Sequence, residues 1–251
     1  MSIETLESPG RVSELQARID LAAAHRLAVM DGLHEGSWNH LSLKLPGGDR
    51  FVISPKTTHW SQVRASNLAE VGPADQQEIE DRNDMMSVAY RIHAPIHLAR
   101  SDIRAVLHVH SPYILALAML EDPGLPLAEQ NALGLHGKIA YTETYDGTVP
   151  QDIRHGEFLA DALGDKAILL MRNHGAVVTG PTIGQAYTDL YLFDRAARAV
   201  VLALSTGRQL RELPQEMAVR FAEDEGTLAY KDDHFEAMKR VLDEREPDYR
   251  A

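Results

Sequence analysis

Residues 105–111 have the sequence Ala-Val-Leu-His-Val-His-Ser, and they govern the fold and the chemistry expected of the chain. The apolar run predicts a buried strand, which ends before Pro112. Side chains two residues apart on a strand share a face, so His108 and His110 point the same way. Because neutral imidazole is the commonest metal ligand, the pair is a candidate metal site. The alternative is two hydrogen-bonded polar residues near a strand end.

A third histidine follows later in the chain, in the segment Arg172-Asn173-His174-Gly175. This segment separates the apolar residues 167–171 from residues 176–179, which predicts a turn between two strands. A polar side chain beside a glycine in such a turn is presented at the end of the sheet. His174 could therefore join the pair. The alternative is a common Asn-His turn without a ligand role.

The rest of the chain predicts an α/β protein. Apolar spacing predicts helices over 13–31, 77–100, 113–120, 156–163 and 181–204, and strands over 39–45, 50–54, 105–110, 139–142, 167–171 and 176–179. Strands and helices mix without strict alternation, which indicates a mostly antiparallel or mixed sheet flanked by helices. We expect one domain over 1–251, with flexible ends at 1–12 and at the C-terminus.

Composition excludes several functional classes. The 251 residues carry a formal charge of −12 and include no cysteine. The acidic balance argues against nucleic-acid binding and against docking on anionic membranes. The lack of cysteine excludes disulfides and thiolate metal sites. Without a signal-peptide pattern or an apolar run of about 20 residues, we expect a cytoplasmic protein with a small-molecule substrate.

Two further histidines, His93 and His97, lie four residues apart in the predicted helix 77–100. Side chains at this spacing share one helix face. We expect them to line a pocket or to hydrogen-bond the metal ligands, with direct ligation as the alternative.

Four motifs in this order resemble the class II aldolase/adducin family over residues 13–213. They are Ser-Trp-Asn-His-Leu-Ser at 37–42, Phe-Val-Ile-Ser-Pro at 51–55, residues 105–111, and Leu-Met-Arg-Asn-His-Gly at 170–175. The resemblance implies a mainly antiparallel sheet of about nine strands between layers of helices. It also implies one divalent metal held by His108, His110 and His174, with Zn²⁺ favoured over Mn²⁺, Co²⁺ or Fe²⁺. Family members are typically homotetramers, with the site near a subunit boundary.

The chain departs from the family's aldolases at several positions. Those enzymes carry a proton-transferring Glu before the His-x-His strand, where spacing places Ala89 here. Their phosphate-binding segments correspond to the positions of Asn39, Lys56, Thr57 and Ser87, which we expect to contact substrate. For Lys56, a solvated loop residue is an equal alternative.

A second loop is also implicated by the resemblance. Glu129 falls in the loop where the aldolases place a catalytic Tyr, and Gln130 resembles a Gln of the adducin-like branch. Either side chain could contact substrate, although Glu129 could simply be exposed.

The leading hypothesis is a metal-dependent lyase that acts on a small oxygenated acid or carbonyl compound. The segment Ile-His-Ala-Pro-Ile-His at 92–97 resembles the adducin-like branch, in which many bacterial members lack an assigned reaction. We expect His97, helped by His93 or Glu129, to replace the missing Glu in proton transfer. Loss of CO₂ needs no base to deprotonate a hydroxyl, so decarboxylation is favoured over aldol cleavage. The alternatives are aldolase activity, a non-catalytic adducin-like binding or assembly module, and an Fe(II) oxygenase.

Overall fold

The computed structural model describes residues 13–55, 57–82, 84–144, 147, 150–223 and 226–251. The predicted substrate contact Lys56 lies outside these residues. The secondary-structure elements, in chain order, are α1 (Glu14–Met30), β1 (His40–Lys44), β2 (Phe51–Ile53), β3 (Ala69–Val71), α2 (Gln76–Arg82), α3 (Met85–Ala99), β4 (Ala105–Val109), α4 (Pro112–Ala118), α5 (Gln130–Leu135), β5 (Ile139–Tyr141), α6 (Arg154–Leu163), β6 (Ile168–Met171), β7 (Gly175–Gly180), α7 (Ile183–Leu204), α8 (Gln215–Glu223) and α9 (Gly226–Arg245).

The sheet differs from the expected nine strands. The described residues form seven strands in the order β3-β2-β1-β4-β7-β6-β5. Every neighbouring pair is antiparallel except β5 and β6, which are parallel, so the sheet is mixed. The expectation of nine strands came from the family resemblance. Here the connections around β3 contain short 3-10 turns at 60–62, 65–67 and 73–75, where pairing into the sheet is interrupted.

The helix predicted over 77–100 is two helices, α2 and α3. A new helix begins because the side chain of Asp84 accepts hydrogen bonds from the backbone N–H groups of Met86 and Ser87. Such a cap satisfies donors that have no partner inside the first helical turn. The new start sets the face that α3 presents to the sheet, and this face carries His93 and His97.

The sheet is covered by helices on both faces. On one face, α1, α4 and α7 pack over a core that includes Leu41, Leu107 and Val178. On the other face, α3 and α6 cover Val106 and Val177. Because faces alternate along a strand, His108 lies on the α3 side of β4, together with Val106. None of the described helices is both long enough and apolar enough to cross a membrane.

A buried histidine links α1 to the sheet and should make stability depend on pH. His25 donates from Nδ1 to the Leu21 carbonyl at 2.7 Å, and its Nε2 lies 2.7 Å from the Ser54 hydroxyl. Burial lowers the pKa of His25 from 6.5 to about 4. Below pH 6.5 His25 is protonated in the unfolded chain but stays neutral in the folded chain. The free energy of unfolding therefore decreases as the pH falls toward 4.

Across this window, we expect His25 to lower the free energy of unfolding by about 1.4 kcal/mol for each unit by which the pH falls. Urea unfolding at pH 7, 6 and 5 would measure it, with His25→Gln as the comparison. The variant should be less stable at pH 7 but should lose less stability on acidification than the unmodified protein. Equal pH slopes in the two proteins would contradict the assignment.

Candidate metal centre

Three histidines meet at one end of the central strand. His108 lies on β4, His110 follows its last residue, and His174 lies in the turn between β6 and β7. One ring nitrogen from each lies within 4.8 Å of the other two. The turn is brought there because β7 pairs with β4, placing Ala176 opposite Val109. The structure therefore brings together all three residues predicted to hold a metal.

The hydrogen bonds of two rings show which nitrogens face the centre. His108 donates from Nδ1 to the Ala176 carbonyl at 3.1 Å, and His110 Nδ1 lies 2.6 Å from the Glu35 carboxylate. Their two Nε2 atoms are 3.0 Å apart. Two nitrogens bound to one tetrahedral Zn²⁺ at about 2.0–2.1 Å would lie about 3.3 Å apart. The donor set thus fits a divalent metal.

Burial keeps His108 in the form that binds metal. Its pKa lies well below 6.5, chiefly because burial disfavours the charged ring and secondarily because His40, His110 and His174 are nearby. A neutral imidazole has a lone pair to offer, whereas a protonated one has none. The site is therefore ready for an ion at neutral pH.

The carboxylate of Glu35 holds the ring of His110, an arrangement that commonly fixes the orientation and basicity of a metal-binding imidazole. We expect Glu35→Gln to weaken metal binding about tenfold or more, since the amide loses the charge that supports the ring. Competition with a coloured chelator would measure the dissociation constant. Glu14→Gln, which removes another exposed carboxylate, serves as the control. Equal affinities in both variants would refute a role for Glu35.

A row of neutral histidines lies behind the cluster. The register of β1 and β4 places His40 opposite His108, with ring centroids 4.8 Å apart. His40 Nδ1 is 2.7 Å from His93 Nε2, and His93 Nδ1 is 2.6 Å from the Ser42 hydroxyl. That hydroxyl is also 2.8 Å from His97 Nε2. Proton positions in such a chain are coupled, because each hydrogen bond fixes the tautomer of the next ring.

Burial lowers the pKa of each member of this row. The pKa of His97 falls to about 3, and those of His40 and His93 lie well below 6.5. Burial is the largest cause in all three, and neighbouring positive charge adds to it. The row is therefore uncharged at neutral pH.

The predicted proton-transfer residues occupy different depths. His93 contacts His40, whose ring lies against that of His108. His97 lies farther from the cluster, where it contacts the Ser42 hydroxyl and packs against Phe51. His93 therefore lies nearer the three metal-ligand histidines than His97 does. Glu129 begins α5 by accepting a hydrogen bond from the backbone N–H of Ala132 at 2.6 Å.

The predicted substrate contacts are also dispersed. Asn39 is only 2% exposed and directly precedes His40, and its side-chain amide has no hydrogen-bond partner among the described residues. Ser87 is buried, and its hydroxyl bonds the Ile79 carbonyl, which leaves little for a ligand. Thr57 and Gln130 are exposed, and Thr57 has a left-handed backbone with φ of 56°.

Sequence reasoning missed three features of this centre. His40 belongs to the motif at 37–42, but only the pairing register places it beside His108. Glu35 lies in a loop with no distinguishing pattern. The third feature is a cleft of about 460 Å³ beside His174. Its other lining residues come from separate segments: Thr142, Thr144, Gln151, Asp152, Arg154, His155, Phe158, Leu159, Met171 and Arg172.

Comparisons with known proteins identify the family and agree with the fold. The family described as "Class II Aldolase and Adducin N-terminal domain" matches residues 19–201. An aldolase II superfamily protein from Pseudomonas syringae has a TM-score of 0.84 and 30% identity, covering 98% of both chains. L-fuculose 1-phosphate aldolase from Glaciozyma antarctica has the same fold, with a TM-score of 0.82 and 20% identity, covering 98% of this chain and 97% of that one.

The adducins provide a second set of relatives. Beta-adducin from Homo sapiens is 29% identical over 245 residues, which cover 90% of this chain and 33% of the adducin. The chain thus spans about one third of that protein. With the match to the family over residues 19–201 and the fold shared from end to end with the Pseudomonas syringae protein, the chain belongs to the class II aldolase and adducin family.

Proposed function

We propose that this protein is a metal-dependent carbon–carbon lyase acting on a small oxygenated acid or carbonyl compound. The observation that carries the proposal is the cluster of His108, His110 and His174 beside an open cleft. Three protein ligands leave a coordination position for substrate, as catalytic zinc sites do. Zn²⁺ fits the donor set best, and Mn²⁺, Co²⁺ and Fe²⁺ also accept imidazole.

When bound, a divalent metal supplies a Lewis acid that polarises a substrate carbonyl. The chain itself must move one proton. Breaking a carbon–carbon bond leaves an electron pair on carbon, and this carbon must be protonated before product leaves. We assign that transfer to His40, because its ring lies 4.8 Å from that of His108 and its Nδ1 is engaged by His93, so that Nε2 remains to exchange the proton. Ser42 and His97 hold His93 in its tautomer.

Decarboxylation suits these residues better than aldol cleavage. Aldol cleavage needs a base that removes a hydroxyl proton, and at the position of the aldolase Glu the chain has Ala89, buried in an apolar cluster. Loss of CO₂ needs an electron sink and the return of a single proton. The neutral histidine row could pass that proton inward from water, because a ring can release an N–H proton while its other nitrogen gains one.

A panel of 2-oxo and hydroxy acids, offered to protein loaded with Zn²⁺, Mn²⁺ or Fe²⁺, tests the proposal. CO₂ release without aldehyde supports decarboxylation, and aldehyde release without CO₂ identifies an aldolase. Oxygen consumption that requires iron identifies an oxygenase. Metal binding without turnover of any compound would favour an adducin-like binding module, a reading that the similarity to beta-adducin also supports.

We expect His40→Gln to lower the turnover found in this panel about 100-fold, in keeping with loss of a proton-transfer group. Glutamine keeps a polar side chain but cannot exchange the proton. The metal content should be unchanged, because the three ligands remain. His59→Gln, on an exposed turn, serves as the control. Unchanged turnover in His40→Gln would remove His40 from the mechanism.

We also propose a homotetramer in which the metal centre lies near a subunit boundary. Large apolar side chains are exposed close to the cluster, with Trp38 at 65% and Met119 at 60%. Trp38 precedes Asn39, and Met119 follows Ala118, whose carbonyl accepts from the backbone N–H of Asn173. Sedimentation equilibrium should give four times the chain mass of 27.8 kDa.

A further inference from the structure

The geometry points to Arg172 as the residue that binds a second, non-reacting carboxylate of the substrate, so that the substrate class is a small dicarboxylic hydroxy or oxo acid. This inference rests on the proposed function, because it assigns a ligand to the cleft beside the proposed metal centre. It concerns the end of the substrate that lies away from the metal.

The cleft has the size and position that such a ligand requires. Its volume of about 460 Å³ suits a small metabolite. His174 belongs both to the cleft lining and to the metal cluster, so a molecule in the cleft lies beside the ion. Phe158, Leu159 and Met171 form an apolar part of the wall, which suits a short carbon chain.

The charges on the lining identify the anchor. Arg154 is held by Asp152, with two nitrogen–oxygen contacts of 2.5 and 3.0 Å, and this pair is neutral overall. Arg172 has only weak contacts: its Nη1 donates to the Glu121 carbonyl at 3.5 Å, and its Nη2 lies 3.7 Å from the Glu121 carboxylate, which is fully exposed to water. Exposed contacts of this kind contribute little. Arg172 therefore retains its capacity to bind an anion.

The backbone holds Arg172 at the wall of the cleft. Its N–H donates to the Thr142 hydroxyl at 2.9 Å, which ties the start of the β6–β7 turn to the segment after β5. The same turn carries His174 two residues later. One short segment thus presents a metal ligand and a guanidinium fork, which matches the two oxygens of a carboxylate.

The net charge of the lining favours a carboxylate over a phosphate. Among the described lining residues, two arginines and one aspartate leave a single positive charge, which balances a monoanion but not a phosphate dianion. An ion pair with Arg172 stabilises the bound carboxylate and so opposes its loss as CO₂. The carboxylate held there is therefore the one that remains in the product, which requires a second acidic or carbonyl group at the reacting end.

Calorimetric titration of the Zn²⁺-loaded protein with three 2-hydroxy acids tests this assignment. Lactate, malate and 3-phosphoglycerate share the chelating end and differ in having a methyl group, a carboxylate or a phosphate at the other. We expect malate to bind at least tenfold more tightly than lactate, and 3-phosphoglycerate to gain no such advantage. Arg172→Gln should abolish the preference for malate, and Arg154→Gln should keep it.

Metal content, measured on each variant, separates this inference from the proposed function. Loss of the malate preference in Arg172→Gln with metal retained supports the subsite even if no acid is turned over, in which case only the lyase proposal fails. A preference that survives in Arg172→Gln overturns the subsite, whatever the protein catalyses. Tighter binding of 3-phosphoglycerate than of malate would also overturn it, in favour of a phosphate site.

Discussion

Replacing His108 or His174 with alanine is expected to reduce the bound metal from about one ion per chain to nearly none and to abolish turnover. Two imidazoles cannot hold the ion against water as three do, and the two ligand atoms that remain form no cluster with a third His, Asp or Glu among the described residues. Elemental analysis after dialysis would measure the metal, and the acid panel would measure the turnover.

His136→Ala is the matched control for these two variants, because His136 follows α5 and does not belong to the cluster. It should retain the metal and the turnover of the unmodified protein. Circular dichroism would confirm that all three variants are folded. If His108→Ala and His174→Ala kept a full complement of metal, the ion would have to bind elsewhere, and the proposed centre would be wrong.

Replacing Gly156 with alanine is expected to lower the free energy of unfolding by about 3 kcal/mol. Gly156 lies where α6 crosses α3, and a β-carbon there would fall 2.0 Å from the Arg91 carbonyl oxygen and 2.8 Å from Pro95 Cγ. Such a contact forces the two helices apart along an extensive interface. Helix propensity alone predicts the opposite sign, since alanine in a helix is favoured over glycine by about 1 kcal/mol.

Gly48→Ala provides the control for this change, because no atom lies within 4 Å of the β-carbon it would add and its backbone is not left-handed. Its stability should stay within about 0.5 kcal/mol of the unmodified protein. Urea unfolding of the three proteins gives both comparisons. A Gly156→Ala protein as stable as Gly48→Ala would show that α3 and α6 do not approach as closely as described.

The sequence predicted the central elements because their patterns are local. Alternating or apolar runs identified β4, β6 and β7, and helical spacing identified α1 and α7. The edge strand β3 has only three residues and was missed, while the division of α2 from α3 depends on the cap formed by Asp84. The expected nine strands came from the family and not from periodicity, and seven are formed by the described residues.

The site was predictable only where its residues share a motif. His108 and His110 are marked by strand alternation, and His174 by its turn. The contacts of Glu35 with His110 and of His40 with His93 join residues that are 75 and 53 positions apart. No periodicity links such distant positions, so the carboxylate support and the order of the histidine row required the tertiary structure. The roles expected of His97, His93 and Glu129 in proton transfer stay predictions.

The position of β4 between β1 and β7 has a consequence for how long a bound ion stays. Its backbone is paired on both sides, so His108 lies in the part of the sheet that opens last. His174 lies instead in a turn whose Asn173 has a left-handed backbone, with φ of 55°. Escape of the ion would begin with this turn, and the residence time of the metal would follow the opening rate of three residues, 172–174, rather than the unfolding rate of the chain.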